Sequence, residues 1–352
     1  MKLAVVLFNL GGPTSLEGVQ PFLFNLFKDP HILRLPALVR YPLAWLISTL
    51  RLKKAKDIYA QLGGGSPLNQ NTMQQCQALQ WLLKNHGYEA KVWMCMRYAP
   101  PFAQDVVHQV REYAPDHVLL LPLYPQFSTS TTKSSFHDWD ACVNAYAPEL
   151  LPKTHRQCCY PTGDLFIQSH IALIKEHLEQ CPKGIPMTFL FSAHGIPMDM
   201  IHDGDPYAWQ VEQTVHAIMA DAILKDHSFM ICYQSRVGPK KWLGPSIDTA
   251  LRQCKDLYKE KGGGVIVIPI SFVSDHSETL IELDVQYKEV AKSMGITHYS
   301  RVKALGDDTL YIEYLAQQVD VLLKEEKGMR QCPRDYRACY HNQGNTTLGC
   351  TG

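Results

Sequence analysis

The 352-residue sequence has no surplus of either charge, with 34 lysines and arginines against 34 aspartates and glutamates. A nucleic-acid partner draws on a basic stripe or patch, so no such partner is expected. No apolar run is clean enough to span a bilayer, which takes about 20 residues. The nearest is ALVRYPLAWLISTLRLKKAK at residues 37 to 56, broken by Arg40 and Pro42 and closed by Arg51, Lys53, Lys54 and Lys56. With Tyr41 and Trp45 it suits either a helix lying on an anionic membrane surface or a core helix with a solvated end. Neither GxGxxG nor a Walker A motif occurs, which leaves a nucleotide role unsupported. The segment GGGSP at residues 63 to 67 could receive an anion on backbone N–H groups but is a weak signal by itself. No leader pattern precedes KLAVVLFNL, which already reads as a strand. The 11 cysteines form an odd, scattered set, which fits free thiols in a reducing, cytoplasmic setting.

What is present is a globular composition, 46% apolar and 19% charged, on a chain long enough for two domains. Strands are predicted near residues 2 to 10, 91 to 97, 117 to 124, 154 to 160, 187 to 194, 227 to 235, 264 to 272 and 298 to 304. Helical periodicity fills 69 to 85, 163 to 180, 207 to 223, 246 to 260, 277 to 293 and 308 to 326. This alternation predicts an α/β fold with parallel sheets covered on both faces. Four strands lie before residue 160 and four after, so two halves of similar pattern are expected.

The unusual residues gather where strands end. Asn9, Gly11, Gly12 and Pro13 follow the first strand, Arg97 and Tyr98 the second, and YPQFSTSTT at residues 124 to 132 the third. In the second half SAHGIP (192 to 197), QSRVGPKKWLGP (234 to 245) and VSDHSETLIELD (273 to 284) do the same. Ligands of open parallel sheets bind outside the carboxyl ends of strands, so these segments are expected to converge on one cleft. Asp275, Glu278 and Glu282 are spaced to share one helix face, where like charges need a cation, protons or solvent. A solvated first helical turn is the plainer alternative. His194, on a strand end before Gly195 and the Ile196-Pro197 pair, suits proton transfer or metal contact, although a lone histidine is more often structural. Tyr98, Tyr124, Phe127, Tyr233 and Trp242 offer aromatic walls, and Arg97, Lys240, Lys241 and the STSTT hydroxyls a polar rim. Such a cleft fits a large planar ligand carrying carboxylates; ordinary packing is the alternative for each ring.

Taken in order, NLGGP, GGGSPL, RYAPP, YPQFSTSTT, FSAHGIP, QSRVGPKKWLGP and PISFVSDHSETLIELD resemble the ferrochelatases, from about residue 3 to about residue 325. The resemblance implies a type II chelatase with two Rossmann-like domains, each with a parallel four-stranded sheet. It implies an enzyme that inserts ferrous iron into protoporphyrin IX with release of two protons, the last step of haem synthesis. Domains are expected at 1 to 160, including a hydrophobic lip at 33 to 50, and at 161 to 327, with a cysteine-containing tail at 328 to 352. By the same resemblance His194 and Glu278 are catalytic, and His194, Glu278, Asp275 and Glu282 contact the metal. Leu10, Arg97, Tyr98, Tyr124, Ser128 and Trp242 match porphyrin-pocket positions. Leu10 stands where some members carry methionine, and Thr129 where animal members carry a cluster-ligating cysteine. Some bacterial members hold a [2Fe-2S] cluster on tail cysteines, which implies Cys332, Cys339 and Cys350 with Cys158 or Cys159; three free thiols, or zinc, are the alternatives. A cytoplasmic monomer or homodimer, peripheral on the inner face of the membrane, is expected.

A coproporphyrin chelatase is the nearest rival; a lip of this length favours the more apolar protoporphyrin. A tetrapyrrole carrier without turnover has no use for the acidic row, and a nucleotide-dependent oxidoreductase lacks its glycine fingerprint.

Overall fold

The structure is a computed structural model that describes residues 1–235, 238, 240–259, 262–324, 332, 333, 335–339, 348 and 349. The first half runs β1 (Lys2–Asn9), α1 (Val19–Phe27), α2 (Ala37–Gln61), α3 (Leu68–Asn85), β2 (Glu89–Met96), α4 (Ala103–Tyr113) and β3 (His117–Pro122). A π-helical segment, Thr129–Lys133, leads into α5 (Ser134–Tyr146), and β4 (Thr154–Gln157) closes this half. The second half runs α6 (Asp164–Glu179), β5 (Met187–His194), α7 (Met198–His202), α8 (Tyr207–Met219), β6 (Ser228–Gln234), α9 (Ile247–Leu257) and β7 (Gly264–Pro269). A second π-helical segment, Glu278–Tyr287, continues as α10 (Lys288–Ser293), then β8 (His298–Arg301) and α11 (Thr309–Leu323).

Both sheets are wholly parallel and share one strand order, β2-β1-β3-β4 and β6-β5-β7-β8. The first sheet gains a strand that the sequence pattern did not announce. Tail residues Leu348–Gly349 (β9) pair in parallel with Arg156 and Gln157 of β4, making that sheet five-stranded. The second departure is the acidic helix, which is π-helical over Glu278–Tyr287 and turns α only at Lys288. π-Helical turns are rare and concentrate at functional sites. Both π-helical segments begin inside a strand-end motif singled out from the sequence.

The strands alternate between two buried faces, as parallel strands covered on both sides must. Leu3, Val5 and Leu7 of β1 face one core and Ala4, Val6 and Phe8 another. In β7, Ile266 and Ile268 join the first of those cores while Val265 and Val267 enter a third. One core thus includes residues of both sheets, filled by α3, α6, α8 and α11, and it fixes the halves against each other. Truncating any of these large apolar side chains to alanine costs about 2–5 kcal/mol.

In each sheet the chain reverses direction around the first strand of the half, between β1 and β3 and between β5 and β7. Those switch points are where a doubly wound sheet leaves a crevice. Here the two crevices meet. A separate apolar cluster joins α1 and α2 to Tyr98 and Ala99 beside this opening. The outward side of α2 stays bare, with Leu38 92%, Leu50 74% and Trp45 59% exposed.

Candidate active site

A cavity of about 170 Å³ opens between the two switch points. Asn9 and Leu10 follow β1, Tyr124, Gln126 and Ser128 follow β3, His194 and Ile196 end β5, and Ser271–Ser274 follow β7. Leu26 and Ile32 close the side nearest α2. The lining is mostly apolar, with Tyr124 and Tyr207 hydroxyls and Gln126 Oε1 buried without a hydrogen-bond partner among the described residues. Buried polar atoms of this kind are costly unless a ligand or water meets them.

The reactive end is built by register. Pairing of β5 with β6 puts His194 beside Gln234, so the next residue, Ser235, stands at the rim. His194 N–H donates to Ser271 Oγ (3.0 Å), and Ser192 Oγ donates to Gln234 Oε1 (2.6 Å), fixing both strand ends. Gln234 Nε2 in turn donates to the Glu278 carbonyl (3.0 Å), which anchors the start of the π-helix. His194 Nδ1 lies 2.8 Å from Glu278 Oε2. Ser235 Oγ lies 2.9 Å from the same oxygen and 2.6 Å from Glu282 Oε2, and Ser235 N–H donates to Glu282 Oε1 (3.0 Å). An unbroken line therefore runs Glu282, Ser235, Glu278, His194. Ser235 holds this place at φ 61°, a conformation rare outside glycine that marks locally stored strain.

The two carboxylates are driven apart in acidity. Burial raises the Glu278 pKa, but the His194 charge and hydrogen bond, the nearby His276 and the Ser235 hydroxyl outweigh it and bring it down to about 2. Burial and the Glu278 charge together raise Glu282, against the bonds from Ser235. His194 is lowered by burial but raised more by Glu278 and Glu282, so its net shift is upward. Neighbouring groups pushed in opposite directions are the usual mark of an acid–base site.

Sequence reasoning missed two members. His276 lines the cavity with its Nδ1 3.1 Å from the Ser274 carbonyl, and burial foremost lowers its pKa, against the charges of Glu278 and Asp275. The signal was its place two residues before Glu278. Ser235 had none beyond standing after a strand.

Several expected members are elsewhere. Asp275 precedes the π-helix, does not share the face of Glu278 and Glu282, and is held by Arg301 Nη1 at 2.8 Å. Arg301, its side chain only 6% exposed, also binds Asp284 through two bonds of 2.7 Å, so this acid serves a half-buried ion cluster on a second, polar cavity with Asn71 and Lys303. Arg97 and Tyr98 do not line the slot; they converge on Asp29, at 2.9 Å from Arg97 Nη2 and 2.9 Å from the tyrosine hydroxyl. Trp242 bridges to Pro197 and braces the loop after His194 from outside the lining. Leu10, Tyr124 and Ser128 do line it.

The tail thiols are partly brought together. Cys332 hydrogen-bonds the thiols of Cys159 and Cys339, and Gln210 Nε2 donates to Cys332 Sγ (3.0 Å) and Cys159 Sγ (3.3 Å). The Cys159 bond is the largest cause raising the Cys332 pKa, to about 12. Cys158 and Cys159, the two alternatives from sequence, are both buried in the core behind the first sheet, with Cys159 the one that meets Cys332, and Cys350 lies outside the described residues. Among the described residues no three His, Cys, Asp or Glu side chains stand in metal-holding geometry.

An apolar slot between paired Rossmann-like halves, with an imidazole and two carboxylates at one end, is the arrangement of a metal chelatase. The fold is similar to the solved structure of SirB from Bacillus subtilis with Fe3+, at TM-score 0.50 and 11% identity over 91% of this chain and 95% of that one. The chain belongs to the ferrochelatase family, whose family model matches residues 2–322. It is 48% identical to the ferrochelatase of Caulobacter vibrioides over 351 residues, 97% of this chain and 98% of the relative. It is 43% identical to that of Pelagibacter ubique over 350 residues, 96% and 98% of the two chains. The activity is therefore insertion of ferrous iron into a porphyrin for haem synthesis.

Proposed function

We propose that the slot binds protoporphyrin IX between an N-terminal wall of Leu10, Tyr124 and Ser128 and a C-terminal wall carrying His194 and Glu278. The observation that carries this reading is the line from Glu282 through Ser235 and Glu278 to His194. Metal insertion requires two pyrrole protons to leave. His194 accepts one as base, with the ionised Glu278 stabilising the imidazolium, and once that proton has moved along the line to Glu282 the neutral imidazole accepts the second. Ser235 has one hydroxyl proton and two carboxylate neighbours, so it can take a proton from one while giving its own to the other. Glu282, with its raised pKa, is the acceptor at the outer end. The hydrogen-bonded line favours protons as its traffic, while its carboxylate and imidazole atoms also suit transient contact with the substrate iron. Asp275 has no part in that path, being held by Arg301.

The bare apolar side of α2 supports a peripheral membrane contact that delivers an apolar porphyrin to the adjoining cavity. No helix of the described residues is long and apolar enough to cross a membrane. The meeting of Cys159, Cys332 and Cys339 supports a [2Fe-2S] cluster on these thiols with Cys350 as fourth ligand. When bound it would tie the tail to the second half through Gln210, outside the proton path.

The test is anaerobic insertion of Fe2+ into protoporphyrin and coproporphyrin by the wild-type chain, Glu278→Gln and His194→Ala. Turnover of protoporphyrin that both substitutions abolish is expected. Preference for coproporphyrin removes the substrate assignment, and full activity in either variant removes the role of that residue.

A further inference from the structure

The two walls of the slot come from different halves, so something must fix their separation. The loop between α7 and α8 does this at one carboxylate. Asp205, 1% exposed, receives three bonds on Oδ2 from the opposite half: Thr129 N–H at 2.7 Å, Thr129 Oγ1 at 2.7 Å and Ser128 Oγ at 3.2 Å. Its other oxygen accepts from the N–H of Tyr207 at 3.1 Å. Ser128, Ser130 and Thr131 line one wall of the slot and Tyr207 the other. Asp205 therefore joins the first π-helical turn to the far wall without lining the slot itself.

The surrounding seam is neutral. Gln126 Nε2 donates to Thr214 Oγ1 (2.9 Å) and the Ile270 carbonyl (3.2 Å), and Phe127 N–H donates to Gln210 Oε1 (2.7 Å). Bonds to a buried carboxylate are shorter and about twice as strong as neutral ones, and donors left unpaired on its removal are costly. The loop is also braced from outside: Asp203 pairs with Arg34 of the lip, and Ala338 N–H of the tail donates to the Gly204 carbonyl at 3.1 Å. Gly204 sits at φ +88°, and a Cβ there would meet the backbone nitrogen of Arg337 at 2.7 Å.

We propose that Asp205 is a positioning residue for the porphyrin: it sets the width of the slot by locking the Ser128–Thr131 wall to the Tyr207 wall. This rests on the slot being the porphyrin site. The hydrogen bonds of Asp205 go to Ser128, Thr129 and Tyr207 rather than to His194 or Glu278, so its removal acts on binding of the macrocycle and leaves the proton chemistry alone.

Steady-state iron insertion separates the possibilities, with porphyrin KM, iron KM and the pH profile of kcat measured for Asp205→Ala, Asp205→Asn, Thr129→Val and Leu10→Trp. Asp205→Ala is expected to raise porphyrin KM about tenfold with iron KM and the pH profile unmoved. Asparagine keeps an acceptor for the three crossing donors and should stay within about threefold of wild type. Thr129→Val, which removes one crossing bond at nearly constant volume, should raise porphyrin KM in the same direction by less, and it decides the matter if Asp205→Ala does not fold. Unchanged porphyrin KM in Asp205→Ala or, failing that, in Thr129→Val, while Leu10→Trp raises it, overturns the role of Asp205 alone. Unchanged porphyrin KM in Leu10→Trp as well overturns the slot assignment on which it rests. A shifted pH profile in Asp205→Ala also overturns the proposal, since it would place this residue in the chemistry.

Discussion

The two halves of the molecule share a strand order and bring the same switch point to the same slot, yet they furnish it with opposite chemistry. The ends of β1 and β3 contribute Leu10, Tyr124, Gln126 and Ser128, none of them ionised at neutral pH. The ends of β5, β6 and β7 and the π-helix after them contribute His194, Ser235, His276, Glu278 and Glu282. One backbone geometry thus makes a neutral wall and a titratable one, the proposed holding and reactive walls. The difference lies in the π-helical turn that each half carries beyond its strand ends. In the first half that turn is TSTTK, with side chains that hydrogen-bond locally and outward to Asp205. In the second it is ETLIELDVQY, where acids four residues apart converge on one serine.

The largest test of this division falls on the reactive wall. His194→Ala and Glu278→Gln should each lower kcat by about 10²–10⁴-fold, the usual range for a lost general acid–base group, in a stopped iron-insertion assay. A loss confined to porphyrin KM would mean that this wall only holds the ring. Next comes Arg301→Gln, which strips the partner from Asp275 and Asp284. Because both carboxylates keep part of their surface in water, the loss should be about 1–3 kcal/mol, measured by denaturant unfolding. Leu10→Trp probes the holding wall in the opposite sense: porphyrin KM should rise about tenfold while the pH profile stays where it is, since one indole fills space without touching a proton.

The pH dependence sharpens the comparison further. Glu278 has its folded pKa depressed to about 2, so its contribution to stability is complete above its unfolded value, near 4.3, and is lost as pH falls towards 2. His194 has its pKa raised, so its contribution is complete below about 6.5 and fades as pH rises through the folded value. Removing the carboxylate in Glu278→Gln leaves burial less opposed, so the His194 resonance should titrate at lower pH than in wild type by NMR. An unchanged midpoint would detach the pair. The smallest effect is expected for Asp275→Asn, with kcat within about threefold of wild type, because the ion cluster rather than the proton line loses a charge. A loss as large as that of Glu278→Gln would return Asp275 to the path.

Much of this was legible in the residues. Runs such as GVIVIP and MTFLFSAH mark strands because β-branched and apolar side chains buried on both faces leave no other choice of period. The convergence of strand-end motifs comes from parallel topology, and the spacing of Glu278 and Glu282 survived even though their helix is π rather than α. Asp275 did not join them, because the helix begins after it and Arg301 lies 26 residues away in sequence. Arg97 and Tyr98 likewise find partners the sequence did not show. Their strand-end position was read as facing a ligand, but the buried Asp29 compensates the one and accepts from the other.

The sequence by itself therefore determined the eight strands of the two halves, the end of the sheet where the site lies, and the chemical types available there. These depend on local periodicity and on the direction of a parallel strand. Only the tertiary structure decided which acid has its pKa lowered and which has it raised, which is paired with arginine, and which serine bridges two carboxylates. It also decided that Asp205 closes the seam 76 residues from Thr129. Charges act on whatever lies within a few ångströms, and in a doubly wound fold those neighbours come from other strands.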